Sequence, residues 1–556
     1  MKKVDNAPRT VKLILISVIA FMAHLSYEKL NLTTKIAYGA GDLGPAITAN
    51  ISVFYLLFFL TDVAGLPAGL AGSVLMVVRI FDAINDPIIG MWSDRTRTIW
   101  GRRLPWMLLG SIPFGISYFL LWLIPTNNQL WLFLYYIFIG IIFNLTYTVV
   151  NLPYQALTPE LTYDYNERTR LNSFRFAFSI GGSILSLILY ILVSSSYAND
   201  LHKAFLLLGV VCALISIIAV IWCALVLQER GAKAILNPAR KKVLAIAFIV
   251  IGALSLVYGV GKMGGNPRDF IAISTILLGI EGIVSGLTIY YGKTENHLRD
   301  GAAIKQREAA DNTETIPLKE QLKIVFGNRP FLYVIGIYLC AWLGVQLTAS
   351  ILVYYVVSYM RLSEAESGLV ALAVQGTALV MLFFWQAVSQ KLDKKIVYFL
   401  GMIFWIIAQI GLFLLQPGEI TLMYILAVLA GFGVSVAYLI PWSMVPDVIE
   451  LDELETGKRR EGIFYAFMVL LQKIGLALGL FLVGIALETS GFKPRIPGEA
   501  IPLQPDSALI AIRLAIAPLP AFFLIISLIL AYFYPITRQV HAEILDQLAA
   551  RRPEEK

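Results

Sequence analysis

The feature that most restricts what this chain can fold into is a succession of long apolar runs along nearly all of its 556 residues. At about 1.5 Å of rise per residue, roughly 20 residues of helix cross a hydrocarbon core of about 30 Å. Runs of that order lie near 36–61, 67–91, 105–125, 130–157, 172–195 and 203–227. Two more follow near 243–261 and 270–291, and six near 330–358, 365–388, 396–416, 420–446, 461–487 and 508–535. With 58% hydrophobic and 15% charged residues, this surface cannot be hidden in a water-soluble core. Inside hydrocarbon every backbone N–H and C=O must pair within the chain, which leaves helices for segments of this length. The predicted fold class is all-α: a polytopic membrane protein of about fourteen transmembrane helices.

Several chemistries are excluded early. The three cysteines, Cys212, Cys223 and Cys340, lie inside apolar runs, which argues against a disulfide framework and a Cys-based metal site. The four histidines fall near the ends of apolar runs or in polar segments, so a proton relay built on intramembrane His is not expected. No G-x-x-x-x-G-K-[ST] loop occurs. No nucleophile, base and orienting group recur together, so neither an enzyme, a resident cofactor nor nucleic-acid binding is expected.

The net charge of +7 is informative by position, because basic residues near span ends set orientation. Segment 92–104 carries Arg95, Arg97, Arg102 and Arg103, segment 389–395 carries Lys391, Lys394 and Lys395, and segment 447–460 ends in Lys458, Arg459 and Arg460. Segments 62–66, 125–129 and 417–420 have no Lys or Arg. An even number of spans with both termini cytoplasmic fits this asymmetry, although Arg361, Lys493 and Arg495 would then lie outside. The organisation read from these signals is an N-terminal extension (1–32), a six-helix bundle (33–228) and a central region (229–329) with an extra hairpin (243–291) and a cytoplasmic loop. A second six-helix bundle (330–536) and a cytoplasmic tail (537–556) follow. Two halves around a long central loop are the pattern of parallel-repeat transporters, whose site lies at the midplane between halves. The hairpin is either a spacer or a partner-binding element.

Charges inside the bilayer are costly enough to count as functional candidates. Arg79, Asp82 and Asp86 share one face of the second span, with Asn85 one turn from Asp82. Two carboxylates this close cannot both stay ionised in low dielectric without positive charge nearby. Arg79 supplies one such charge. A small hard cation, which prefers oxygen ligands, is one way to supply the other, with Thr148 on the fourth span adding a hydroxyl. A purely structural Arg–Asp network is the alternative. Lys473 lies too deep for comfortable snorkelling and needs an acid, for which Asp82 or Asp86 is the natural partner. Asp42, Asn151, Gln155 and Arg175 are further intramembrane polar residues, and Pro153 predicts an interrupted helix beside Asn151 and Gln155.

The stretch Val78-Arg79-Ile80-Phe81-Asp82-Ala83-Ile84-Asn85-Asp86-Pro87 resembles the second-helix signature of the glycoside–pentoside–hexuronide cation symporters, the melibiose-permease branch of the major facilitator superfamily. Thr34 to Gly39, Thr61-Asp62-Val63, Tyr147-Thr148 with Pro153, and Asp447 support it. The resemblance covers roughly residues 33–228 and 317–540. It implies a two-bundle major facilitator fold in the cell (inner) membrane, transporting as a monomer a sugar or glycoside together with Na⁺ or H⁺. The cation ligands it implies are Asp82, Asn85, Asp86 and Thr148, with Arg79, Arg175 and Lys473 as basic partners. Gly90, Asp94, Arg95, Gly101, Arg102 and Arg103 resemble the superfamily's cytoplasmic gate, joined by Asp447. The solute-reading positions depart from melibiose permease: Ala46 and Asn151 stand where it has acids, and Gln155 and Tyr438 where it has tryptophans. Asp42, Asn151, Gln155, Arg175 and Tyr438 are therefore the candidate solute contacts. Leu152 to Thr158, Pro441 to Val448 and Ile463-Phe464-Tyr465 are also similar to the sodium-dependent lysophosphatidylcholine symporters, which makes a lysophospholipid or related amphiphile the second candidate solute. A non-transporting scaffold with the same fold is a third reading, and retention of the buried charges argues against it.

Overall fold

The computed structural model describes residues 30–162, 165–229, 232–263, 269–291, 318–457, 460–495 and 502–551. Most of the N-terminal extension, most of the central loop and the basic pair Lys458 and Arg459 lie outside the described residues. Among the described residues every regular element is a helix.

The first half comprises α1 (Leu32–Ala40), α2 (Leu43–Phe58), α3 (Ala68–Arg95), α4 (Leu104–Leu120), α5 (Gln129–Gln155), the short α6 (Thr158–Leu161), α7 (Tyr165–Ser196) and α8 (Leu201–Val226). The hairpin is α9 (Pro238–Met263) and α10 (Phe270–Tyr291). The second half runs from α11 (Leu318–Gly327) through α12 (Arg329–Tyr354), α13 (Glu364–Ser389), α14 (Lys394–Leu414), α15 (Ile420–Thr456) and α16 (Glu461–Thr489). It ends with α17 (Asp506–Ile516), α18 (Pro518–Phe533) and α19 (Arg538–Arg551). Among the described residues thirteen helical segments are long and apolar enough to cross a bilayer, and α4 is a shorter apolar helix beside them. Together they make the expected fourteen.

Helix starts are set by local chemistry. The side chains of Asn128, Asp200, Asn328 and Asp393 accept backbone N–H bonds from the first turns of α5, α8, α12 and α14. Two details differ from the sequence expectation. Helix α5 continues through Pro153 and stops two residues later, at Gln155, so the proline lies in its last turn and not at a break within the span. The break falls instead in the first span, at Gly41 and Asp42 between α1 and α2.

The hairpin packs as a unit. A Cβ on Gly252 would sit 2.7 Å from the Gly279 carbonyl oxygen, so only glycine permits this approach of α9 and α10. Lys262 and Asp269 pair at 3.4 Å across its turn. Phe270, Leu277 and Leu278 lie against the core of the first half, while α9 turns Val243, Ile251, Leu254 and Val257 outward.

The two halves share a core at one end and separate at the other. One hydrophobic cluster runs through the first half and takes in Leu347 to Met360, Leu412 to Leu426 and Leu480 to Phe492 of the second. The segment from Leu412 to Leu426 encloses 417–420, which has no Lys or Arg, whereas the other two lead into the loops of Arg361 and of Lys493 and Arg495. The opposite end of the second half has its own cluster, from Phe331 and Trp385 to Phe464, with no first-half members. The molecule is therefore closed at the face of loop 64–67 and parted at the face of basic loop 96–103. The closure is tight. A Cβ on Gly484 of α16 would lie 2.5 Å from the Ala68 carbonyl oxygen, and Glu488 Oε2 accepts the Gly69 N–H at 2.5 Å.

Candidate functional site

Helix α3 places Asp82 and Asp86 one turn apart, α5 brings Thr148 against them, and α16 brings Lys473 from the other half. The Lys473 ammonium lies 2.8 Å from Asp82 Oδ2 and 2.6 Å from Asp86 Oδ2. On the other side of the carboxylates, the Thr148 hydroxyl is 3.3 Å from Asp82 Oδ1 and 2.9 Å from Asp86 Oδ1. Arg79 Nη1 stands 3.8 Å from Asp82 Oδ2 and donates to Asn144 Oδ1 at 3.5 Å. Two acids facing one lysine and one arginine balance in charge, as burial in low dielectric requires. Lys473 thus supplies the second positive charge that the sequence argument demanded. Asn85 is buried on the same helix, and its amide nitrogen has no hydrogen-bond partner.

The candidate solute contacts divide. Asp42 Oδ2 and Arg175 Nε face each other at 3.9 Å, and the Arg175 guanidinium also covers the Phe176 ring at 5.0 Å. The Asn151 side-chain oxygen is buried without a hydrogen-bond partner, and Gln155 is exposed. In the second half Tyr438 meets Trp342 edge-on at 5.6 Å, Trp442 stacks on Tyr465 at 5.9 Å, and Tyr338 touches Trp442. Tyr438 and Trp442 are each 37% exposed, so this aromatic surface is partly open. The first half brings charges and amides to the site, and the second brings rings and one lysine.

The candidate gate residues pair within their own halves. Arg103 bonds Asp94 and Ser93, Arg102 bonds Glu160, and Arg95 is exposed. A Cβ on Gly90 would meet Leu152 at 3.4 Å. Asp447 holds Lys394 at 2.7 Å and has His541 of α19 at 3.5 Å, while His541 also meets Glu450 at 2.6 Å.

Several contributors were not legible as site residues. Glu229 accepts the backbone N–H groups of Arg102, Arg103 and Leu104. Glu488 joins the halves, and Arg513 lies over the Tyr359 and Phe413 rings. Arg495, an exception to the loop-charge pattern, pairs with Glu364 at 2.6 Å, and its backbone N–H reaches Asp62 of the first half. The signal available for it was the nearby acid of the Thr61-Asp62-Val63 stretch.

A helical bundle in two halves, joined across a buried ion-pair cluster at mid-depth, defines an integral membrane transporter of the major facilitator type. The MFS/sugar transport protein family matches residues 37–246 and 242–538, and this chain belongs to it. It is 62% identical to the uncharacterized symporter sll1374 of Synechocystis over 95% of this chain and 98% of that protein. It is 26% identical to the inner membrane symporter YicJ of Escherichia coli, covering 94% and 96% of the two chains. With the sodium-dependent lysophosphatidylcholine symporter 1 of Gallus gallus it shares 25% identity over 93% and 89%. The inward-open xylose transporter XylE of E. coli has the same fold, with a TM-score of 0.55 at 12% identity over 94% and 98%.

Proposed function

We propose that this protein is a secondary active symporter of a sugar or glycoside, driven by Na⁺ or H⁺ through alternating access of the two halves. The observation that carries the coupling is the Lys473 clamp, which joins Asp82 and Asp86 of one half to α16 of the other. In the empty site the ammonium neutralises the acids. A cation entering among the carboxylates, Thr148 and Asn85 takes over that charge and frees Lys473, which links cation occupancy to movement of α16 against α3. Asn151, Gln155, Asp42 and Arg175 of the first half, with Trp342, Tyr438 and Trp442 of the second, suit a hydroxylated solute with an apolar part: polar groups fix orientation and rings accept its flat face. With basic loops in the cytoplasm of the cell membrane, this conformation faces inward.

One observation favours a lysophospholipid or related amphiphile as a second reading. Helices α7 and α13 touch at Ile191 and Gly368 but part toward the basic face, where Gly181 and Gly376 look onto open space beside exposed Phe176, Phe383 and Phe384. A hydrocarbon tail could use such a slot to remain in the bilayer.

Uptake into proteoliposomes tests both. The panel is p-nitrophenyl glycosides, free disaccharides and lysophosphatidylcholine, each with and without a Na⁺ or proton gradient. Gradient-driven accumulation of a glycoside is expected. Accumulation of lysophosphatidylcholine alone would replace the solute assignment, and accumulation of none would reject both.

A further inference from the structure

Between α2, α3 and α5 of the first half and α12 and α16 of the second lies a cavity of about 40 Å³, on the closed-face side of the ion-pair cluster. Its walls are mainly aliphatic and aromatic, from residues such as Leu56, Val78 and Phe143. The polar groups that reach it are Ser52, Arg79, Asn144, Gln346 and Ser350. Most of their bonding capacity is already used. Ser52 donates to the Thr48 carbonyl, Ser350 to the Gln346 carbonyl, and the Asn144 amide nitrogen to the Gly140 carbonyl. Two unmet demands stand out beyond the acceptor lone pairs left on the hydroxyls. Gln346 is only 6% exposed, yet its side-chain oxygen has no hydrogen-bond partner. The Arg79 guanidinium, with five N–H donors, makes one long hydrogen bond, to Asn144.

An unmatched buried acceptor and spare donors lining one small cavity specify what completes them. The missing group must donate to Gln346 and accept from Arg79. A hydroxyl does both; a carboxylate or phosphate diester satisfies Arg79 and leaves Gln346 unmatched. A water fits where roughly one probe sphere fits, about 10–15 Å³, so a cavity of this size admits a hydroxyl with its carbon.

We propose that this cavity reads one hydroxyl of the solute, with Arg79 donating to it and Gln346 accepting from it, and that Gln346 is a specificity-determining residue. The inference rests on the sugar or glycoside reading above and narrows it. Because Arg79 also stands 3.8 Å from Asp82, the hydroxyl docks on a group that belongs to the cation cluster.

The test uses the full chain in lipid nanodiscs, with p-nitrophenyl glycosides of glucose and galactose and their monodeoxy forms as probes. Gln346→Met keeps the volume and removes the acceptor; Gln346→Asn withdraws the amide by one methylene and serves if the first variant fails to fold. Cation-dependent thermal stabilisation of each variant reports an intact fold and cation cluster. The expected result is binding of the parent glycoside about tenfold weaker in the variant. One monodeoxy glycoside should bind wild type and variant equally, because the group that Gln346 reads is gone. If wild type and variant bind the parent alike, or if the variant's deficit persists with every monodeoxy form, the role of Gln346 is overturned while the symporter reading stands. If wild type binds none of these glycosides, the solute reading itself fails and this inference falls with it.

Discussion

The two halves bring different chemistry to their shared site. The first half holds both carboxylates of the cluster, its hydroxyl and its arginine; the second contributes one ammonium and a partly open surface of Trp342, Tyr438, Trp442 and Tyr465. Neither half is satisfied alone. Asp82 and Asp86 would have only Arg79 to compensate two charges without α16, and Lys473 would be an isolated ammonium without α3. The difference teaches that the coupling proposed above needs no long relay: the proposed cation ligands sit in one half and the ammonium that a cation would displace belongs to the other.

The harshest way to break the comparison is Lys473→Ala. Removing one partner of a buried cluster leaves uncompensated acid, at a cost of about 3–5 kcal/mol. The variant should unfold at much lower temperature without added cation and regain most of the loss with it. A melting temperature that ignores cation would detach Lys473 from the cation cluster. Next in size is Asp82→Asn, which preserves volume and removes a charged ligand. Concentrative uptake should vanish while downhill solute exchange continues, as measured in loaded proteoliposomes; full concentrative uptake would sink the cation assignment. Tyr438→Ala addresses the other half. Losing one ring contact, worth about 0.5–1.5 kcal/mol, should weaken solute binding severalfold and leave cation affinity unchanged. A change in cation affinity instead would mean that the division of labour between halves is wrong.

The closed face allows a smaller test. Glu488→Gln replaces a charged acceptor by a neutral one at a contact that holds the halves together there, a loss of about 1 kcal/mol. Distances measured by spin labels across loop 64–67 and the α13 start should shift toward an open population, with the Asp82, Asp86 and Lys473 cluster unaltered. The hairpin should matter least. Both carboxyl oxygens of Glu281 are buried without a hydrogen-bond partner, so Glu281→Leu should stabilise the protein slightly, by about 1 kcal/mol, and leave transport unchanged. Loss of transport would instead give the hairpin a working role.

The legible part of the site was the part carried by helical spacing. Arg79, Asp82, Asn85 and Asp86 lie within about two turns of one helix, so their relation follows from 3.6 residues per turn. The Lys473 contact was also within reach, because a lysine buried in an apolar run must find an acid, and few were present. Pro153 misled, since a proline's effect depends on where the helix ends. Gln346 carried no signal, because a lone amide in an apolar run is unremarkable until its neighbours are known.

By itself the sequence determined the number of spans, their alternating charge and the presence of a costly acid pair. Apolar length and backbone hydrogen bonding in hydrocarbon leave no other outcome for such segments. Only the tertiary structure decided which face is closed, that Lys473 bridges both carboxylates, that Glu488 meets the start of α3, and that Gln346 and Arg79 line one cavity. Each of these joins residues hundreds of positions apart on helices whose relative depth and rotation are set by packing. Hydrophobicity drives a helix into the bilayer but does not choose the face it turns to its neighbour; close approaches such as Gly72 against Gly484 and a few buried polar contacts make that choice.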